Sequence, residues 1–186
     1  MYSYIQQDYL QKRILQVHSL FDFLAIYGKF QGKKMISIGC GTAAEFKVLC
    51  ENFAEKIGID QDSAIIDFCK SIHKKTSFIC SNYLTYIKKI ENDSADLILA
   101  LDIDTNILPD IFVNALLPKL KNNGFMILTE REDNARIYGR MLLMPHIQDI
   151  INTTTAKNIE VQTFARFNKL PVKEDRDNFI VLIKKI

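Results

Sequence analysis

Residues 35–46 read MISIGCGTAAEF: a short run of apolar and β-branched side chains, two glycines one residue apart, and then a segment of helical character. A buried strand that ends on such glycines turns sharply, because glycine reaches backbone angles closed to other residues and lets a ligand approach the main chain. Where a helix follows, its first amides face the carboxyl edge of the sheet, the edge at which open α/β sheets bind ligands. The stretch therefore predicts a strand, a nucleotide-type turn and a helix.

The rest of the chain repeats that alternation. Ile5, Tyr9, Ile14, Val17, Phe21 and Leu24 recur near helical spacing and predict an amphipathic helix over 3–27, with Gln11 as a candidate break. After the turn, helices are expected over 43–53, 63–74, 83–90 and 110–121, and strands over 56–59, 77–80, 96–101 and 125–129, the last entered through the turn Asn122-Asn123-Gly124. Five strands separated by helices imply parallel neighbours, since parallel pairing needs crossover connections and right-handed crossovers place helices outside the sheet. The ending differs: a helix over about 134–152 is followed by strand-like runs over 159–167 and 179–184, joined by NKLPVKEDRD, which suits an antiparallel hairpin. The expected fold is α/β, a seven-stranded, mostly parallel sheet with helices on both faces and an antiparallel C-terminal hairpin.

Bulk properties narrow the partners. With 186 residues, 48% hydrophobic and 25% charged, the chain suits one compact domain. We divide it into an N-terminal helical lid or cap over 1–30 and a sheet domain over 31–186. The formal net charge is only +2, and lysines come as scattered pairs such as Lys33-Lys34 and Lys88-Lys89, the pattern of solvated element ends rather than of a basic stripe for nucleic acid. Cys40, Cys50, Cys69 and Cys80 lack metal-binding spacing and sit in apolar-patterned segments, as reduced thiols do. No apolar run reaches the ~18 residues of a membrane span, and the N-terminus lacks a signal-peptide layout, so a cytoplasmic location is expected.

Nineteen residues after Gly41, Asp60 ends the second predicted strand. A carboxylate there can accept hydrogen bonds from both hydroxyls of a ribose lying across the first turn, which points to a nucleoside cofactor. Gly39-Cys40-Gly41-Thr42-Ala43-Ala44 also fits the permissive GxGxxA pattern of NAD proteins. The surroundings separate the two cofactor classes. ISIGCGTA, GIDQD, SNYL, ADLILALDI and LLPKLKNNGFMIL together resemble, along nearly the whole chain, the motifs of the class I (Rossmann-like) S-adenosylmethionine-dependent methyltransferases.

That resemblance implies the cofactor and its contacts: the backbone at Gly39, Cys40 and Gly41, the Asp60 carboxylate on the ribose, Gln61 beside the adenine, Asn82 on the adenine amino group, and Tyr83 and Leu101 at the pocket wall. It also exposes two departures. The acid that the family often places two residues before the first glycine is Ser37 here, and the third glycine is Ala43, which fits only where its backbone avoids the left-handed region.

Methyl transfer from a sulfonium needs an in-line nucleophile held close, and a base only where the acceptor loses a proton. Asp102, just beyond the fourth strand, is the candidate catalytic residue, able to orient a hydroxyl or amine or to take its proton. Asp102, Asp104 and Glu130 gather at predicted strand ends, yet Thr129-Glu130-Arg131 departs from the acid-amide pair that holds magnesium in catechol-type relatives, so no metal is expected. The absence of an Asn-Pro-Pro-Tyr type of motif after the fourth strand argues against amino-group methylation of nucleic acids and proteins. The reading is thus a methyltransferase acting on oxygen or nitrogen of a small molecule, with the N-terminal helix as a lid or dimer contact. Two alternatives stand beside it: a non-catalytic S-adenosylmethionine or nucleoside-binding protein, and an NAD-binding Rossmann protein.

Overall fold

The computed structural model describes residues 2–102, 109–131, 147–155, 159–167 and 178–186. In chain order they form α1 (Tyr2–Leu24), β1 (Gly32–Ile38), α2 (Glu45–Val48), β2 (Phe53–Asp60), α3 (Ser63–Ile72), β3 (Ser77–Cys80), α4 (Tyr83–Ile87), β4 (Ala95–Leu101), α5 (Pro109–Leu116), a 3-10 turn (Leu117–Lys119), β5 (Leu120–Arg131), α6 (Ile147–Thr155), β6 (Ile159–Phe167) and β7 (Asn178–Lys185). The seven strands lie in one sheet in the order β3-β2-β1-β4-β5-β7-β6. Pairings among β1 to β5 are parallel, and β7 pairs antiparallel with both β5 and β6. The expected parallel sheet with an antiparallel ending is present, and β7 is inserted beside β5.

Strand alternation divides the core in two. Ile36, Ile38, Ile98, Ala100, Met126 and Leu128 pack with Ile87 of α4, Phe112 and Leu116 of α5 and Ile150 of α6 on one face. Met35, Leu97, Leu99, Ile127 and Leu182 pack on the other with α1, α2 and α3. The inner strands are apolar on both faces because helices cover both, as parallel sheets require. Switching from β2 to β4 across β1 opens a crevice at the carboxyl edge, and the chain after β1 lies over it.

α1 is continuous through Gln11, contrary to the expected break, because no proline or glycine interrupts it and its buried residues keep one face. Leu10, Val17, Leu20, Phe21 and Leu24 are buried against the sheet, each contributing about 1.5–3 kcal/mol of transfer energy. None of the described helices is long and apolar enough to cross a membrane.

Several element bounds differ from the sequence reading. The helix expected over 43–53 shrinks to four residues, since Leu49 leaves the helical region and Asn52 closes a turn on Leu49, leaving 53–55 to extend β2. The expected turn at Asn122-Gly124 is a bulge inside β5: Ala95 pairs with Leu120 but Leu97 with Phe125, and Asn123 has φ of 64°. The helix expected over 134–152 is described only from Ile147 onward, and the hairpin loop 168–177 lies outside the described residues.

Candidate cofactor site

β1 ends in a run of left-handed backbone. Gly39, Gly41 and Ala43 have φ of 63°, 49° and 56°, so every second residue of the turn lies in the region that favours glycine. Ala43 therefore overturns the expectation that its backbone avoids that region. The strain, about 1 kcal/mol for an L-residue, is held by a methyl group with no exposure, packed in the α1–α2–α3 core, and by the 2.7 Å bond from the Ala43 amide to the Cys40 carbonyl. At Gly41 the direction of a side chain is open, with nothing within 4 Å, so the main chain is bare toward the crevice. Gly58 of β2 closes the floor: a Cβ there would meet the Phe78 ring at 2.7 Å and Cys40 Sγ at 3.0 Å.

Asp60 stands at the end of β2, half-buried, its Oδ2 accepting from the Gly41 amide at 3.0 Å and its Oδ1 from the Asp62 amide at 3.0 Å. The carboxylate so ties the second strand end to the glycine turn, and each oxygen keeps a further lone pair for a donor. Gln61 is exposed beside it. Asn82 is exposed and caps α4, its Oδ1 accepting from the amides of Leu84 and Thr85 at 3.0 and 3.4 Å. Tyr83 packs edge-to-face on Phe112, centroids 5.7 Å apart, in the core on the other side of the sheet. The Cys40 thiol is pushed up, first by its hydrogen bond with Cys69 and then by burial, and stays protonated.

Over the turn lies a cavity of about 170 Å³ lined by Gly39, Cys40, Gly41, Leu101, Asp102, by Tyr9 and Ser37 and, beyond the sequence-derived residues, by Arg13 and Glu45. Arg13 reaches it because residues 10, 13 and 17 share one stripe of α1, and Leu10 and Val17 are buried on that stripe. Its Nη1 donates to Asp102 Oδ2 at 2.9 Å, and Thr129 Oγ1 donates to Asp102 Oδ1 at 2.9 Å. Asp102 itself has φ of 55°. Burial weakens the Arg13 charge, but Asp102, Tyr9 and Glu45 outweigh it and hold the guanidinium protonated more firmly than usual. Opposite, Ser37 Oγ donates to Glu45 Oε1 at 2.5 Å. Burial pushes the Glu45 carboxyl above the usual carboxylate range, and Ser37, the residue's own amide and Arg13 offset only part of it.

The fold has counterparts among known proteins. The family model described as "Methyltransferase domain" matches residues 36–128, from within β1 to Leu128 in the second half of β5. The chain belongs to the class I S-adenosylmethionine-dependent methyltransferases. No curated protein sequence matches it. Among solved structures, a SAM-dependent methyltransferase from Archaeoglobus fulgidus superposes with a TM-score of 0.70 at 14% identity, covering 100% of both chains. The plantazolicin methyltransferase BamL, solved with a triazolic desmethylPZN analog and SAH, gives 0.72 at 15% identity over 93% of this chain and 84% of its own. A putative methyltransferase in complex with the Haloferax volcanii Trm112 methyltransferase activator gives 0.67 at 11% identity over 90% and 88%.

This methyltransferase's residues fit the family's cofactor, S-adenosylmethionine. The bare main chain at Gly41 admits close approach, Asp60 offers a carboxylate to hydroxyls, and among the described residues two carboxyl groups, Glu45 and Asp102, line the cavity beside Arg13, a setting compatible with a cationic ligand. Arg13 and Glu45 escaped the sequence reading, though both left a signal. Arg13 is a charge inside an apolar helical stripe, and Glu45 a charge inside Ala43-Ala44-Glu45-Phe46.

Proposed function

We propose that the enzyme transfers a methyl group from S-adenosylmethionine to an oxygen or nitrogen of a small molecule. The observation that carries this reading is the modest cavity at the carboxyl edge, walled by the glycine turn, by Tyr9 and Arg13 of α1 and by Asp102 after β4. Part of this space is the cofactor's, and a recessed site of this kind suits a small acceptor better than an extended macromolecular surface. The cofactor supplies an electrophilic methyl on sulfur. In this reading Asp60 accepts from the ribose hydroxyls, the backbone of Gly39, Cys40 and Gly41 passes beneath the cofactor with Leu101 beside it, and Gln61, Asn82 and Tyr83 border the adenine.

Asp102 takes the acceptor side. Arg13 and Thr129 hold its two oxygens in place, which equips it to orient a hydroxyl or amine in line with the methyl group. Tyr9, 47% exposed and lining the same cavity, makes the first half of α1 the lid of this site. A screen of small alcohols, phenols and amines with labelled S-adenosylmethionine tests the proposal. Label should appear in at least one small acceptor, whereas transfer confined to protein or RNA in the same assay would contradict it.

A further inference from the structure

Among the described residues two carboxyl groups line the cavity, and they are in opposite states of compensation. Asp102 has Arg13, whereas Glu45, with 4% exposure, makes no ion pair among the described residues. A buried carboxyl outside an ion pair either stays neutral or is met by a cation, and one that borders a cavity can be met from that cavity. Its position says which cation. Asp60 stands at the β2 end of the crevice, and β1 separates β2 from β4 in the sheet. Glu45 lies on the β1–β4 side, bonded to Ser37 of β1 and within the field of Arg13, which pairs with Asp102 after β4. A cofactor whose ribose meets Asp60 and whose middle crosses the glycine turn brings its amino-acid end to Glu45.

We infer that Glu45 binds the α-ammonium group of the cofactor, supplying from α2 the carboxylate that Ser37 does not supply from β1. The inference rests on the S-adenosylmethionine reading of the site. Ser37 then acts as a positioning residue: its hydroxyl, 2% exposed in β1, fixes Glu45 Oε1 and leaves the remaining lone pairs to the three N–H donors of an ammonium. A carboxyl carried on α2 follows the turn, so occupancy of the turn and of the amino-acid end are coupled through five residues of chain, from Gly41 to Glu45.

The test compares two ligands by calorimetry in wild type, Glu45→Gln and the transplant Ser37→Asp with Glu45→Gln. S-adenosylhomocysteine carries the amino-acid end, and 5′-methylthioadenosine lacks it. Glu45→Gln should weaken S-adenosylhomocysteine by about 10- to 100-fold, the scale of a charged hydrogen bond, and leave methylthioadenosine within about 2-fold. The transplant should regain affinity for S-adenosylhomocysteine alone. Equal losses for both ligands would mean a structural role and would overturn the inference, as would unchanged S-adenosylhomocysteine affinity or a transplant that regains nothing. Wild type that binds neither compound would overturn the cofactor reading and this inference with it.

Discussion

At the scale of single residues, the glycine turn is a compromise between conformation and packing. Ala43 pays left-handed strain and gains a buried methyl, two terms of about 1 kcal/mol each and opposite sign. Ala43→Gly should therefore change stability by less than about 1 kcal/mol, while Ala43→Val, branched at Cβ in a left-handed and closed position, should cost about 2 kcal/mol or more. Urea midpoints of the two variants check this. His73 shows a second compromise. Burial, outweighing a bond to the Thr42 carbonyl, lowers its pKa from 6.5 to about 4. The unfolded chain then binds the extra proton first as pH falls from 6.5 to 4, so stability present above that window is lost through it, with a slope of at most about 1.4 kcal/mol per pH unit. The slope should flatten in His73→Phe, measured by denaturation at pH 7, 5.5 and 4.5.

At the scale of elements, among the described residues α1 is tied to the sheet edge by the Arg13–Asp102 ion pair on a mostly apolar face. Arg13→Met should destabilise the fold by roughly 2–4 kcal/mol, because the side chain of Asp102, 11% exposed, is left without its cation. Asp102→Asn removes the same pairing and, under the proposed orienting role, should also lower methyl transfer by about 10²-fold. A double-mutant cycle on stability and on rate separates the two roles: coupling in stability alone would reduce Asp102 to an anchor for α1. The elements themselves were mostly legible. Short apolar and β-branched runs bounded by turn residues located all seven strands, the inner ones as continuous runs because both of their faces are covered. Boundaries failed where tertiary pairing outweighed local preference, as at Asn122-Gly124, whose turn residues sit in a bulge of β5, and at 49–53, where helix-compatible residues leave α2 to start β2.

At the scale of the whole molecule, sheet order explains the division between what the sequence could and could not tell about the site. Gly39, Gly41 and Asp60 lie at the ends of neighbouring strands, and their spacing of nineteen residues between Gly41 and Asp60 is a local consequence of one β-α-β unit. Arg13 and Asp102 are 89 residues apart and meet only because α1 packs across β4, a contact that no local pattern encodes. Glu45 is near Ser37 in sequence, but its burial beside Phe46 and its bond to Ser37 appear only once α2 packs onto β1. The central claim is that the β1–α2 turn and the β2 end together hold S-adenosylmethionine. Calorimetric titration of S-adenosylhomocysteine into wild type and Asp60→Ala, with NAD as the comparison ligand, tests it most directly. Wild type should bind S-adenosylhomocysteine saturably and not NAD, and folded Asp60→Ala should lose about 1.5–3 kcal/mol of that affinity. Binding of NAD instead, or a folded Asp60→Ala with undiminished affinity for S-adenosylhomocysteine, would contradict it.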